Sequence, residues 1–332
     1  VCQSAVELSG AAPIEASATR LPTPASPGLP FRYFFVGPSG AAAYSRAETA
    51  ELDEPVLELQ GGFAVAITAE RSVNGARYGR TGHALWVPIR DLVPIRPFSF
   101  HGEWLQPPTT DPPSIPVAWI LSDQAPVLAR PGGPKTAATR ARQDAIRVLN
   151  EETNGAGTFL RIGDNAWVAG SDVRHPRWSE PPPEVDADAD ERWIDVDLDT
   201  QTLVAYEGHR AVFATLVSTG KGRPGTPTAT PKGSFRIWSK LTSSDMDNLE
   251  DDAASHYYRM EDVPYVQYFS KGVGIHGAFW HHSFGRVRSH GCVNLAPVDA
   301  EQLFAWTGPH LPAGWTAALS MGHDRGTVVR VR

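Results

Sequence analysis

The chain is predicted to be mainly β, with two small antiparallel barrels followed by a larger β-rich C-terminal domain. Three observations carry this. Short β-type runs separated by Gly and Asn turns fill residues 31–178. After position 191, Ile194, Val196 and Leu198 alternate with Asp195 and Asp197, giving one apolar and one wet face. Proline clusters around Pro107, Pro108, Pro112, Pro113 and Pro116, and at Pro181, Pro182 and Pro183, punctuate the 332 residues into segments of domain size.

In chain order, residues 1–30 are small, polar and proline-rich and are expected to form a flexible arm. Residues 31–98 form the first barrel, with β runs at 33–36, 55–59 and 63–68. Residues 115–178 form the second, interrupted by an Ala- and Arg-rich insert over 135–150. There Ala138, Ala141, Ala145, Ile146 and Leu149 are spaced for a helix. The two units read as copies. A Gly-containing turn (Gly82, Gly163) precedes Trp86-Val87 in one and Trp167-Val168 in the other, and Asp91-Leu92 or Asp172-Val173 closes the pattern. Both tryptophans are expected in the barrel cores. The pattern resembles the bacterial SH3-like domains found on cell-wall enzymes. An acidic linker is expected over 179–190, then a domain over 191–332. Its β runs are 193–198, 203–206, 211–217, 234–238, 265–269, 273–276 and 327–331. One helix is predicted over 297–306: Pro297 suits its first turn, Asp299 and Glu301 favour the dipole there, and Leu303, Phe304 and Trp306 supply apolar contacts.

Composition narrows the function. A net charge of -7 without a basic cluster argues against nucleic acid or an anionic membrane surface as partner. No apolar run approaches the roughly 20 residues a transmembrane helix needs. The sequence starts at Val1, so a signal peptide would not be visible. Cys2 is placed like a lipidated residue, but a valine before it suits that processing poorly.

Chemistry concentrates near the C-terminus. His276-Gly277 precedes Ser289-His290-Gly291-Cys292-Val293-Asn294, and Cys292 is one of only two cysteines. A lone cysteine is ordinarily a small buried hydrophobe. Here its neighbours are glycine, histidine, serine and asparagine, which favours a thiol activated by imidazole. Either His276 or His290 can serve as base, since residues two apart in an extended chain share a face. Gly291 permits the turn, and the N–H groups of His290, Gly291 and Cys292 are candidate oxyanion donors. Ser289 is expected to hydrogen-bond locally, and Asn294 to fix the loop after the cysteine. His276, His281, His282 and Cys292 include zinc-type ligand atoms, but no Cys-x-x-Cys or His-x-x-x-His spacing occurs. Loop histidines near an active site are the simpler account, and no metal or other cofactor is expected.

The motif pair resembles that of the L,D-transpeptidases of the bacterial cell wall, the YkuD-type catalytic domain. That family carries a His-Gly, a gap, then Ser/Thr-His-Gly-Cys, a variable residue and Asn or Arg. Gly225-Thr226-Pro227-Thr228, Gly233-Ser234-Phe235-Arg236-Ile237 and Val263-Pro264-Tyr265-Val266 match in order, and the resemblance covers roughly 191–332. Ala229-Thr230-Pro231-Lys232 departs from the pattern and is expected to alter only a surface loop. The resemblance implies an exported enzyme of the periplasm or cell envelope that acts on peptidoglycan stem peptides. Cys292 would attack the diaminopimelate–D-alanine bond, with His276 as base, a carbonyl near Gly277 as its orienter and His290 in support. The thioester would pass to an amine acceptor. Trp280 and Tyr268 would flank the donor peptide, and carbapenem-type inhibitors are expected to acylate the thiol. Two other readings stay open: a peptidoglycan hydrolase using the same thiol, and a wall-binding spacer whose barrels carry the function.

Overall fold

The computed structural model describes residues 27–50, 52, 54–96, 98–107, 113–249 and 257–332. The expected N-terminal arm lies almost wholly outside these residues, as do Cys2, Pro108 and Pro112. No helix among the described residues is long and apolar enough to cross a membrane.

The first unit is built on strand Arg32–Val36, which pairs antiparallel with Ala64–Val73 and with Leu92–Pro94. Ala64–Val73 turns at Asn74-Gly75, both at positive φ, into Ala76–Thr81. A separate core of Phe34, Val36, Val65, Ile67 and Val87 fills it. The second unit combines a five-stranded and a three-stranded sheet around Ile120, Val127, Leu160 and Val168. Both units end alike. Strand Trp86–Pro88 runs into a 3₁₀ turn at Ile89–Asp91 and then Leu92–Pro94; strand Ala166–Ala169 runs into Gly170–Asp172 and then Val173–Arg174. Trp86 and Trp167 are buried in these units.

The helical insert over 135–150 is not present. Lys135–Ala141, Ala145–Arg147 and Asn150–Asn154 are strands. Lys135–Ala141 is exposed at every residue, so neither face carries an apolar code, and pairing with Gln124–Leu128 overrides the helix propensity of its alanines.

The C-terminal domain packs two sheets around one core. In the first, Arg192–Asp197 pairs antiparallel with Thr202–Glu207 and parallel with Val328–Val331. The aspartates expected on a wet face are buried. Asp195 lies opposite Arg330 and accepts from Arg330 Nε at 2.7 Å and Arg332 Nε at 2.9 Å; Asp197 meets Arg332 at 2.8 Å. The C-terminal strand thus brings its own cations to those carboxylates. The second sheet contains Ser239–Asp247, Arg259–Ser270, Val273–Gly277 and Val293–Leu295. Helix Pro297–Trp306 packs against it.

The helix begins with proline in its first turn as predicted, but Asp299 has a different role from the one expected. It is fully buried, accepting from the Gly102 N–H at 2.8 Å and Thr215 Oγ1 at 2.5 Å. Burial pushes its carboxyl up to about 6, against those two hydrogen bonds. The described part of the segment between the two units is therefore fastened to the C-terminal domain. Its residues Glu103–Trp104 add an edge strand beside Arg210–Leu216. The acidic linker is likewise docked: Arg236 donates to Glu191 at 2.8 Å and to the Glu184 carbonyl at 2.9 Å, and Asp186 caps the 3₁₀ turn Ala187–Ala189.

Candidate active site

Strand Val273–Gly277 carries His276, and strand Val293–Leu295 runs parallel to it with Val293 opposite Ile275 and Asn294 opposite His276. Cys292 immediately precedes Val293. The register therefore brings the two motifs together although they are separate in sequence. Both side chains line one cavity of about 780 Å³, with Tyr268, Trp280, Ser289, His290 and Asn294.

His276 is 1% exposed, and its Nδ1–H donates to the Gly277 carbonyl at 3.3 Å. That bond leaves Nε2 as the basic nitrogen. Burial lowers the imidazole to about 4, opposed by the Gly277 bond, so it is neutral in the usual working range. Gly277 itself is held by packing: a Cβ there would stand 3.1 Å from Pro264 Cγ. Trp280 lies beside the imidazole, ring centroids 5.6 Å apart.

Cys292 is half-buried, with Sγ 3.9 Å from the Gly272 carbonyl. Burial pushes its thiol up from the ordinary range, opposed by a backbone hydrogen bond from Gly274. The resting pair is therefore thiol and neutral imidazole. Gly291 sits at φ +130, a conformation open to glycine and strained for other residues.

Ser289 Oγ donates to the Cys292 carbonyl and accepts from the Gly291 N–H at 3.1 Å. The Gly291 N–H is thereby committed, which corrects its expected place among the oxyanion donors. His290 is exposed at the rim, stacked on Tyr258 with centroids 5.5 Å apart. Tyr268 is half-buried, stacked on Trp238.

This arrangement of a buried imidazole and a cleft thiol at the head of parallel strands coincides with the matched region of a known family. Residues 191–331 match the family model of the L,D-transpeptidase catalytic domain, YkuD. This region is similar to the L,D-transpeptidase catalytic domain. Among solved structures, a cysteine-to-serine mutant of the Enterococcus faecium L,D-transpeptidase is 24% identical, covering 43% of this chain and 50% of that one, with a TM-score of 0.32. The chain thus spans about half the length of that protein. The catalytic domain of the E. faecium enzyme, solved acylated by ertapenem, is 28% identical over 43% of this chain and 98% of that one, with a TM-score of 0.32. The L,D-transpeptidase from Mycobacterium smegmatis is 20% identical, covering 56% and 81%, with a TM-score of 0.32. No curated protein matches the chain.

Around the L,D-transpeptidase motif the structure adds residues that sequence reasoning missed or misread. Thr230, expected in a surface loop, is buried; its Oγ1 donates to the Gly291 carbonyl at 2.7 Å and accepts from the Gly220 N–H at 2.8 Å. Its signal was present as a hydroxyl beside the Gly-Thr-Pro-Thr loop, but only the folded chain brings it to position 291. His281 is buried, not an exposed loop residue. Its Nδ1 accepts from the Ser283 N–H at 3.1 Å, so Nε2 carries the ring proton. The Asn294 amide meets Nε2 at 3.0 Å, and its oxygen is the atom that can receive that proton. Both ring nitrogens are occupied, which removes His281 from any metal set. His282 instead stacks on Phe98, and among the described residues no His/Cys/Asp/Glu group is placed to hold a metal. Tyr258 was also missed; burial raises its hydroxyl, as does the nearby Cys292.

Proposed function

We propose that the protein is a cell-envelope peptidoglycan L,D-transpeptidase in which Cys292 is the nucleophile and His276 the general base. The convergence of His276 and Cys292 on neighbouring parallel strands in one cleft supports this reading above all else.

In the proposed cycle the donor tetrapeptide places its diaminopimelate–D-alanine carbonyl beside Cys292 Sγ. His276 Nε2 takes the thiol proton as sulfur bonds to carbon, and the Gly277 carbonyl steadies the imidazolium through Nδ1–H. With Gly291 N–H committed to Ser289, the Cys292 N–H is the backbone donor assigned to the developing oxyanion. Collapse breaks the amide C–N bond, and His276 returns the proton to the departing D-alanine amine. A thioester remains on Cys292. The side-chain amine of a second stem then attacks it, restoring the thiol and joining two diaminopimelates. Water in place of that amine gives hydrolysis by the same steps. Asn294 and His281 brace the strand behind the nucleophile, while Trp280 and Tyr268 bound the donor groove.

The deciding experiment combines two measurements. Incubation with a carbapenem, whose strained carbonyl presents the same electrophile, is expected to leave one covalent adduct by intact mass. The adduct should be absent in Cys292→Ala and formed far more slowly in His276→Ala. With tetrapeptide muropeptides, cross-linked dimers are expected. Trimmed monomers alone would establish the hydrolase, and no turnover with no adduct would leave the spacer reading.

A further inference from the structure

The first β unit, residues 31–96, meets the catalytic domain at both walls of the Cys292 cleft. One wall is the hairpin of strands Ser239–Asp247 and Arg259–Ser270, whose Asp245, Asp247, Met246 and Met260 line the cavity. The other is the Phe279-Trp280 turn beside His276.

Asp245 is the hub on the hairpin. Its Oδ1 accepts from the Asp262 N–H at 3.0 Å, tying one strand of the hairpin to the other. Its Oδ2 accepts from His83 Nε2 at 2.6 Å, tying both strands to the first unit. The same ring nitrogen stands 4.0 Å from the buried Glu261 Oε1. Beneath it, the Asp262 carboxyl lies so close to Gly82 that a Cβ at 82 would be 1.9 Å from Asp262 Oδ2. A side chain at 82 would have to displace that carboxylate, and Asp262 itself sits at φ 49. Ser243 Oγ holds its other oxygen at 2.8 Å. Strand Ala64–Val73 extends the contact by pairing parallel with the hairpin at Met260.

On the second wall, Tyr33 is buried and stacks on Phe279 with centroids 4.0 Å apart. Its hydroxyl donates to the Asp262 carbonyl at 2.7 Å, so one side chain touches both walls. Phe279 in turn packs edge-on against Trp280, the ring beside His276.

We propose that the first β unit is a built-in part of the transpeptidase cleft, and that His83 is a positioning residue that sets the hairpin wall through Asp245. This rests on the transpeptidase reading above and extends it to a unit outside the matched catalytic region. His83 touches no reacting atom. It acts by fixing a carboxylate that fixes the hairpin, and His83 is half-exposed, so its replacement leaves the core intact.

The test uses the full chain and compares His83→Ala with His83→Gln, whose amide can still donate to Asp245. In His83→Ala, hydrogen exchange in peptides covering 239–248 and 259–264 should accelerate about tenfold, with 192–216 unchanged. Carbapenem acylation of Cys292 should slow about tenfold through weaker saturation by the inhibitor, since small displacements of a positioning group are costly. His83→Gln should restore both. Unchanged exchange in the hairpin overturns the proposal. So does faster exchange with wild-type acylation, or a His83→Gln variant no better than His83→Ala. If wild-type protein takes up no carbapenem, the transpeptidase reading falls. Hairpin exchange, with iodoacetamide labelling of Cys292 in place of acylation, then still decides the role of His83.

Discussion

At the scale of single residues, the candidate site is held by atoms one step behind His276 and Cys292. Thr230 stitches the Gly291 carbonyl to the Gly220 N–H, so Thr230→Val leaves the buried Gly291 carbonyl and the part-buried Gly220 N–H without their partner. Unmet buried groups of this kind cost about 1–3 kcal/mol each. The expected outcome is a modest loss of thermal stability together with a clear loss of acylation rate, and Thr230→Ser should recover most of both. A Thr230→Val protein acylated at the wild-type rate would show that Gly291 is held by its φ alone. His276 gives a pH prediction. Its folded value of about 4 lies below the ordinary 6.5, so the neutral ring is favoured by folding. The stability it contributes is complete above 6.5 and is lost as pH falls towards 4, on the order of 3 kcal/mol by linkage. His281, lowered to about 3 by burial first and by Arg288 next, adds to the same acid-side loss. Acylation should stay level from about pH 8 down to about pH 5, because the base form of His276 persists throughout. An acid limb centred well above about 4 in stopped-flow acylation would point to a base other than His276.

At the scale of elements, Lys240 shows how a helix end is secured. It is 1% exposed on strand Ser239–Asp247, and its Nζ donates to the carbonyls of Phe304 at 2.6 Å and Thr307 at 2.8 Å. These are C-terminal helix carbonyls that lack partners within the helix. Burial lowers the ammonium to about 8. Lys240→Met keeps the stem but removes both donors, and should cost about 1–3 kcal/mol in a denaturant melt at pH 7. Unchanged stability would mean that water satisfies the carbonyls equally well. The helix was legible in sequence because proline, acids and apolar spacing agree over 297–306. The strand carrying Lys240 was not. Its sequence, SKLTSSDMD, is polar, with Asp245, Met246 and Asp247 lining the cleft, and its cation is buried for a partner that sequence order does not reveal. The same reason hid Asp195 and Asp197, whose arginines arrive from the far end of the chain. The motif residues His276 and Cys292, in contrast, were singled out by type and order, and the fold brings them to one cleft.

At the scale of the whole molecule, the three β units share cores. Phe100, Ile115, Val117 and Trp119 cluster with Trp193, Val204, Tyr206 and Leu216 of the catalytic domain. Leu29, Tyr33, Ala64 and Ile95 cluster with Val263, Val266 and Phe279. Sequence punctuation reads proline clusters as loose joints, yet the described parts of these segments contribute an edge strand, a ligand for Asp299 and a docked acidic turn. Excision of 191–332 would uncover both clusters and leave Asp299 buried beside an empty place where the Gly102 N–H had been. At roughly 25 cal/mol per Å² of apolar surface, or about 1.5–3 kcal/mol per large side chain, uncovering four or more of them is comparable with the roughly 5–15 kcal/mol by which a domain is ordinarily stable. The isolated fragment should therefore melt well below the full chain, bind a hydrophobic dye and lose carbapenem acylation. Limited proteolysis of the full chain should spare 181–190, where Arg236 and Asp186 hold the backbone. A stable, fully acylated fragment of 191–332 released by cleavage in that segment would show that the shared cores add little, and that the catalytic domain folds and works alone.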